Sequence, residues 1–320
     1  MNKHQLEQQQ IPIYFAAVAA AAVGGLFAPG IAPSLSTLVT PAIAVLMYAM
    51  FLQIPFLDLR QRLGNGRFMA ALLMANFVLI PLLVWALTQG LSGHPAIFVG
   101  ALLVLLTPCI DYVVVFTHLG KGDARLTLAA TPVLLLLQLL LLPLYLAVIV
   151  GPSAAAVIAV GPFVEAFVLL IALPLLLAVA SVAGAKRSPL LARWNSAWAW
   201  MPVPAMAAVL VVVVGAQIAA LASDFDRLLP VIPVYLAFAC LAPLVGAAAA
   251  WACKLPPAAA RSVAFSASTR NSLVVLPLAL ALPEDLRGLA AAAVITQTLV
   301  ELVAELLYIR VVPTWIWPKA

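Results

Sequence analysis

Ten apolar runs, each long enough to form a membrane-spanning helix, constrain this chain more than any other feature. They cover residues 11–29, 35–57, 67–90, 95–119, 124–150, 161–184, 197–222, 228–253, 257–282 and 286–311. A helix needs about 20 predominantly apolar residues to cross the hydrocarbon of a bilayer. Of the 320 residues only 8% are charged and 66% are hydrophobic, whereas a soluble domain carries about 25% charged residues. The chain cannot cover its surface with charge, so its solvent is lipid. The expectation is an all-α integral membrane protein of ten transmembrane helices. It has an N-terminal tail at 1–10 and a C-terminal tail at 312–320.

The basic residues orient these spans. Thirteen of the 16 Lys and Arg residues, from Lys3, Arg60 and Arg62 through to Lys319, fall on the side of the N-terminus. Arg227 and Arg287 fall on the other side, and Arg270 lies within a span. Positive residues mark cytoplasmic loops. Both termini are therefore expected in the cytoplasm and the chain in the plasma (inner) membrane. The net charge of +5 is a topology signal, not a nucleic-acid patch. Trp194, Trp198, Trp200, Trp315 and Trp317 lie near expected cytoplasmic edges, where aromatic belts form.

The chain also repeats itself. A shift of 162 residues carries Pro12 to Pro174, Pro81 to Pro243, Asp123 to Asp285 and Arg125 to Arg287. Residues 11–151 and 161–311 thus read as two five-helix repeats. An odd number of spans makes them opposite in topology, an arrangement characteristic of secondary transporters.

Within this frame two polar clusters interrupt apolar spans at corresponding places. The first is LLTPCIDYVVVF, Leu105–Phe116; the second is SASTRNSLVVLP, Ser266–Pro277. Pro108 removes a backbone donor and breaks the helix, while the small polar residues of 266–272 can satisfy freed backbone groups. Paired interrupted helices point to a transporter's binding site. Asp111 and Arg270 lie near mid-span, where each charge costs at least about 2.5–3.5 kcal/mol. They are either a structural ion pair or groups that bind substrate or carry a proton. Asn271, Ser272, Ser268, Thr269, Gln297 and Glu301 join them as candidate substrate-binding or coupling residues. Glu305, nearer the cytoplasmic end, is expected to snorkel or pair with Arg310. Asn76 and Gln138 are expected to act as packing amides.

The residues exclude other classes. Cys109, Cys240 and Cys253 form no CxxC pair, and neither they nor the histidines have metal-ligand spacing. There is no HExxH, no GxSxG and no glycine-rich phosphate loop. No enzyme activity, metal or cofactor is expected. The partners expected are the lipid bilayer and a small solute, with no nucleic acid.

Three motifs carry a resemblance. Asn76-Phe77-Val78-Leu79-Ile80-Pro81 looks like an Asn-Trp-x-x-x-Pro signature. PCIDYVVVFTHLGKGD looks like a Pro-Cys segment running into a Tyr-Leu-x-Lys-Gly-Asp turn, with His118 in place of the tyrosine. Leu299-Val300-Glu301 resembles a Leu-Val-Glu of a tenth helix. With these the chain resembles the bile acid:sodium symporter superfamily, and within it the arsenical-resistance permeases that export arsenite. The resemblance implies two inverted five-helix repeats, a core domain in which unwound helices 4 and 9 cross, and a panel domain. It implies proton-coupled efflux of arsenite or antimonite, with Cys109 as a soft ligand for the thiophilic metalloid.

The chain also departs from those permeases. Their helix-9 glutamate falls at Ser272, Arg270 has appeared two residues earlier, and Asp111 stands in helix 4. Arg270 can instead hold a small organic or inorganic anion by a bidentate contact, with sodium coupling as in the bile acid symporters. A fixed guanidinium repels sodium, however, so a proton carried by Asp111 is the expected coupling ion.

Overall fold

The computed structural model describes residues 6, 9–53, 66–110, 112–151, 168–223 and 225–317. Asp111 and Glu165 lie outside the described residues. Among the described residues every regular element is helical, as lipid demands of a chain that must satisfy its own backbone groups. Six helices are long and apolar enough to cross a membrane: Ala32–Phe51, Gly66–Leu91, Ala124–Val150, Pro202–Ala219, Phe225–Ala252 and Glu284–Ile316.

In chain order the elements are α1 Gln10–Phe27, α2 Ala32–Phe51, α3 Gly66–Leu91, α4 Pro95–Leu105, α5 Val113–Leu119 and α6 Ala124–Val150. They continue with α7 Leu173–Ala185, α8 Pro189–Trp198, α9 Pro202–Ser223 and α10 Phe225–Ala252. The last are α11 Pro257–Ser268, α12 Ser272–Leu280 and α13 Glu284–Val311. The expected spans 95–119 and 257–282 are thus each two half-helices, α4 with α5 and α11 with α12. Both α4 and α11 open on proline, Pro95 and Pro257, a residue pre-set for the first helical position.

Span 197–222 differs from its expectation. Its first residues belong to the separate α8, and the membrane helix begins at Pro202. The residue before a proline disfavours helix, so the chain breaks at Met201. α8 buries none of its residues.

The chain divides into two compact units that cut across the sequence halves. One comprises residues 1–54 and 161–226, the other 55–160 and 227–320. In the first, α9 packs on α1 and α2, and α7 packs on α2 and α8. A polar knot ties this unit: Tyr48 Oη lies 2.9 Å from Ser181 Oγ and accepts from Trp194 Nε1 at 2.9 Å. Trp198 meets the Tyr48 ring edge-on at 4.9 Å.

The second unit holds α3 to α6 and α10 to α13. Small residues let its helices approach closely, as is usual in lipid. A Cβ on Gly100 would lie 2.5 Å from Ala290 O of α13, and one on Gly246 would lie 2.7 Å from Ala264 Cα of α11.

The two prolines related by the 162-residue shift do the same work here. Proline cannot donate to the carbonyl four residues back. Pro81 so frees Phe77 O, and Pro243 frees Ala239 O. Tyr145 Oη donates to Phe77 O at 2.6 Å, and Tyr308 Oη donates to Ala239 O. Each freed carbonyl is met by a tyrosine from the last long helix of its own half, α6 or α13.

Candidate functional site

α4 stops at Leu105 and α11 at Ser268, and the chain crosses itself between them. Pro108 and Arg270 face each other in an isolated antiparallel bridge. Cys109 N–H donates to Thr269 O at 3.0 Å, and Asn271 N–H donates to Thr107 O at 2.8 Å. The shift of 162 relates these two bonds to each other, as it relates Pro108 to Arg270.

In such a bridge the facing residues do not bond each other; their backbone groups point outward. A proline costs nothing there, because its missing N–H is not needed. Arg270 does have an N–H, and it donates to Glu301 Oε2 at 2.8 Å. Tyr112 Oη donates to Glu301 Oε1 at 2.6 Å and lies 3.2 Å from Arg270 O. Gln297 Nε2 donates to Glu301 Oε2 at 2.6 Å. Glu301 is only 3% exposed. Three donors thus compensate the burial of its carboxylate.

The Arg270 side chain is fully buried, at 0% exposure. Its Nη2 donates to Ser266 O at 2.6 Å, Ala267 O at 2.7 Å and Asn76 Oδ1 at 2.9 Å. Nη1 reaches Leu105 O at 3.4 Å. Phe238 of α10 covers the guanidinium, 5.6 Å from ring centroid to Cζ. The C-terminal carbonyls of α4 and α11 carry the negative ends of two helix dipoles, and Arg270 supplies the positive charge between them.

Asn76 sits in a π-turn of α3, Ala75–Leu79. That local widening is frequent at functional sites. Its Nδ2 donates to Leu72 O at 3.1 Å and Ser266 Oγ at 3.0 Å while its Oδ1 accepts from Arg270. Expected as a packing amide, it is part of the crossing. Glu305 also departs from its expectation: it is fully buried and accepts from Thr269 Oγ1 at 2.5 Å, because α13 runs against the break in α11. Gln138 is buried, and neither of its amide atoms has a hydrogen-bond partner.

The remaining candidates fall around the same place. Cys109 is fully buried within the bridge. Ser268 turns its hydroxyl back onto Ala264 O and Phe265 O, and Thr269 Oγ1 lies 2.7 Å from Phe265 O. Asn271 Oδ1 caps Val274 N–H at 3.3 Å. Asn271 Nδ2, Ser272 Oγ, Gln297 Oε1 and Glu305 Oε2 are buried without a hydrogen-bond partner. Asp111 is outside the described residues.

The turn after α5 docks this region onto α11. Asp123 N–H donates to Ala258 O at 3.1 Å and to Ser262 Oγ at 2.8 Å. Arg261 Nη1 donates to Lys121 O at 3.2 Å. Asp123 then starts α6 by accepting from Arg125 N–H and Leu126 N–H. An apolar groove of about 910 Å³ between α10 and α13 has no charged side chain in its lining; the polar groups converge at the crossing instead.

Residues 40–224, more than half of the chain, match the Sodium Bile acid symporter family. The chain belongs to this family. Members of the Sodium Bile acid symporter family are transporters, and the six candidate membrane spans agree with a membrane-embedded solute transporter. Comparison with curated proteins gives no match. The family's matched region contains the first break, between α4 and α5, and ends before the second.

The family's description names sodium, and the oxygens at the crossing test whether that ion fits. Ser266 O, Ala267 O, Asn76 Oδ1 and Leu105 O already hold the Arg270 guanidinium. A sodium ion does not fit among these oxygens while Arg270 stands there.

Proposed function

We propose that the chain is a secondary transporter working by alternating access, built as two inverted five-helix repeats whose broken helices cross at the substrate site. The observation that carries this reading is the bridge at Pro108 and Arg270, whose paired hydrogen bonds obey the same shift as the sequence repeat. Such crossings recur at transporter binding sites.

The substrate class that best fits the crossing is a neutral, thiophilic metalloid such as arsenite or antimonite, moved outward. Cys109 lies in the bridge, and a thiolate is a soft ligand. An anion bound at Arg270 is less well supported, because that guanidinium is committed to protein oxygens.

Proton coupling is carried by the Glu301 and Glu305 pair, beside any role of Asp111. Two carboxylates and one guanidinium leave this buried cluster with one excess negative charge. A single proton on the pair neutralises it. Glu305 Oε2, buried without a partner, is the atom open to that proton.

The test is a binding panel on purified protein with arsenite, antimonite, arsenate and small organic acids, with and without sodium. Binding of the two trivalent metalloids, lost in Cys109→Ser, is expected. Binding of an organic acid alone would contradict the metalloid reading. Glu305→Gln should bind the same solute yet lose flux driven by a pH gradient.

A further inference from the structure

The oxygens around Arg270 come from three helices: Asn76 Oδ1 from α3, Leu105 O from α4, and Ser266 O with Ala267 O from α11. Their distribution over the guanidinium is uneven. Three lie 2.6 to 2.9 Å from the single atom Nη2, while Nε, equally buried, has no partner at all. A site shaped for an arginine would spread acceptors over its fork of five donors. Oxygens gathered on one point, two of them at the negative end of the half-helix α11, are of the kind that hold a compact hard cation.

We propose that the crossing contains a cation cage and that the Arg270 side chain is its permanent, tethered occupant, which makes this site independent of sodium. The inference goes beyond the transport reading, since it concerns which cation holds the half-helices together. The side chain is separable from the bridge: the bonds from Arg270 to Glu301 and Tyr112 are made by its backbone N–H and C=O, and any residue at the position keeps them. Replacing Arg270 by a small residue empties the cage and leaves its oxygens in place. A free cation of suitable size then takes the position that Nη2 held.

The experiment is thermal unfolding of the purified full chain in detergent, in sodium, potassium or choline chloride at one ionic strength. The native chain and Arg270→Lys should unfold at the same temperature in all three salts, since a tethered ammonium also fills the cage. Arg270→Ser should gain a saturable sodium-dependent rise of about 3 °C or more. A saturable sodium response of the native chain would overturn the proposal. So would a folded Arg270→Ser indifferent to the cation.

If Arg270→Ser yields no folded protein in any salt, the comparison of Arg270→Lys with Arg270→Met decides. Recovery by lysine and not by methionine supports the cage. Equal behaviour of the two, or failure of lysine, contradicts it. None of these readouts depends on substrate or flux, so this result and that of the transport reading can differ.

Discussion

Arg270 and Glu301 meet through the arginine's backbone: its N–H donates to Glu301 Oε2 at 2.8 Å, while its guanidinium turns to the carbonyls of Ser266 and Ala267. One residue thus ties α13 to the bridge with its main chain and closes the end of α11 with its side chain. The carboxylate and the guanidinium serve different backbone groups of the same break. The crossing persists in lipid because both sets are satisfied.

Glu301→Ala should be the most damaging single change in this network. It leaves Gln297 Nε2 and Arg270 N–H without their acceptor and Tyr112 Oη with only the carbonyl of Arg270. Each buried donor stranded in this way costs about 1–3 kcal/mol. Thermal unfolding in detergent should fall by roughly 10 °C. A fall below about 2 °C would show that the network is slack.

Asn76→Leu should destabilise by about 1–3 kcal/mol, because it removes one acceptor from Arg270 and strands the Ser266 hydroxyl. Asn76→Asp keeps an oxygen toward the guanidinium and should be the milder change. The order of the two unfolding temperatures checks this. Leucine equal to aspartate would return Asn76 to a packing role.

Asp123→Ala removes the cap that accepts from Arg125 N–H and Leu126 N–H. It should cost about 1 kcal/mol. Asp123→Ser should recover most of the lost unfolding temperature. No difference between alanine and serine would mean that the turn is held by Ser262 and Ala258 alone.

Cys109→Ser should abolish arsenite resistance in a sensitive host at unchanged expression, since a hydroxyl is a poor ligand for a soft metalloid. Full resistance with serine would assign Cys109 to packing.

Much of this architecture was legible in the sequence. Scarcity of charge gave the apolar spans, and the polar clusters at 105–116 and 266–277 marked both interruptions. The shift of 162 anticipated that Pro108 and Arg270 correspond, although a sequence shift does not say that they touch. The partners of Arg270 were not legible, because Ser266 O, Ala267 O and Leu105 O are backbone atoms with no residue signature. Asn76 looked like an ordinary intramembrane amide, since its place in a π-turn and its bond to Ser266 of α11 are tertiary features. Glu305 was expected to snorkel or pair with Arg310, because the register of α13 against the break is a tertiary fact. The shift paired Pro81 with Pro243, but did not say that Tyr145 and Tyr308 would meet the carbonyls they free.

Solute flux into proteoliposomes under imposed gradients tests the central claim most directly. With the full chain reconstituted, a pH gradient should drive arsenite or antimonite movement, and replacing all sodium by potassium should leave the rate unchanged. Flux that requires sodium, or no flux of either metalloid under any gradient, would contradict the account.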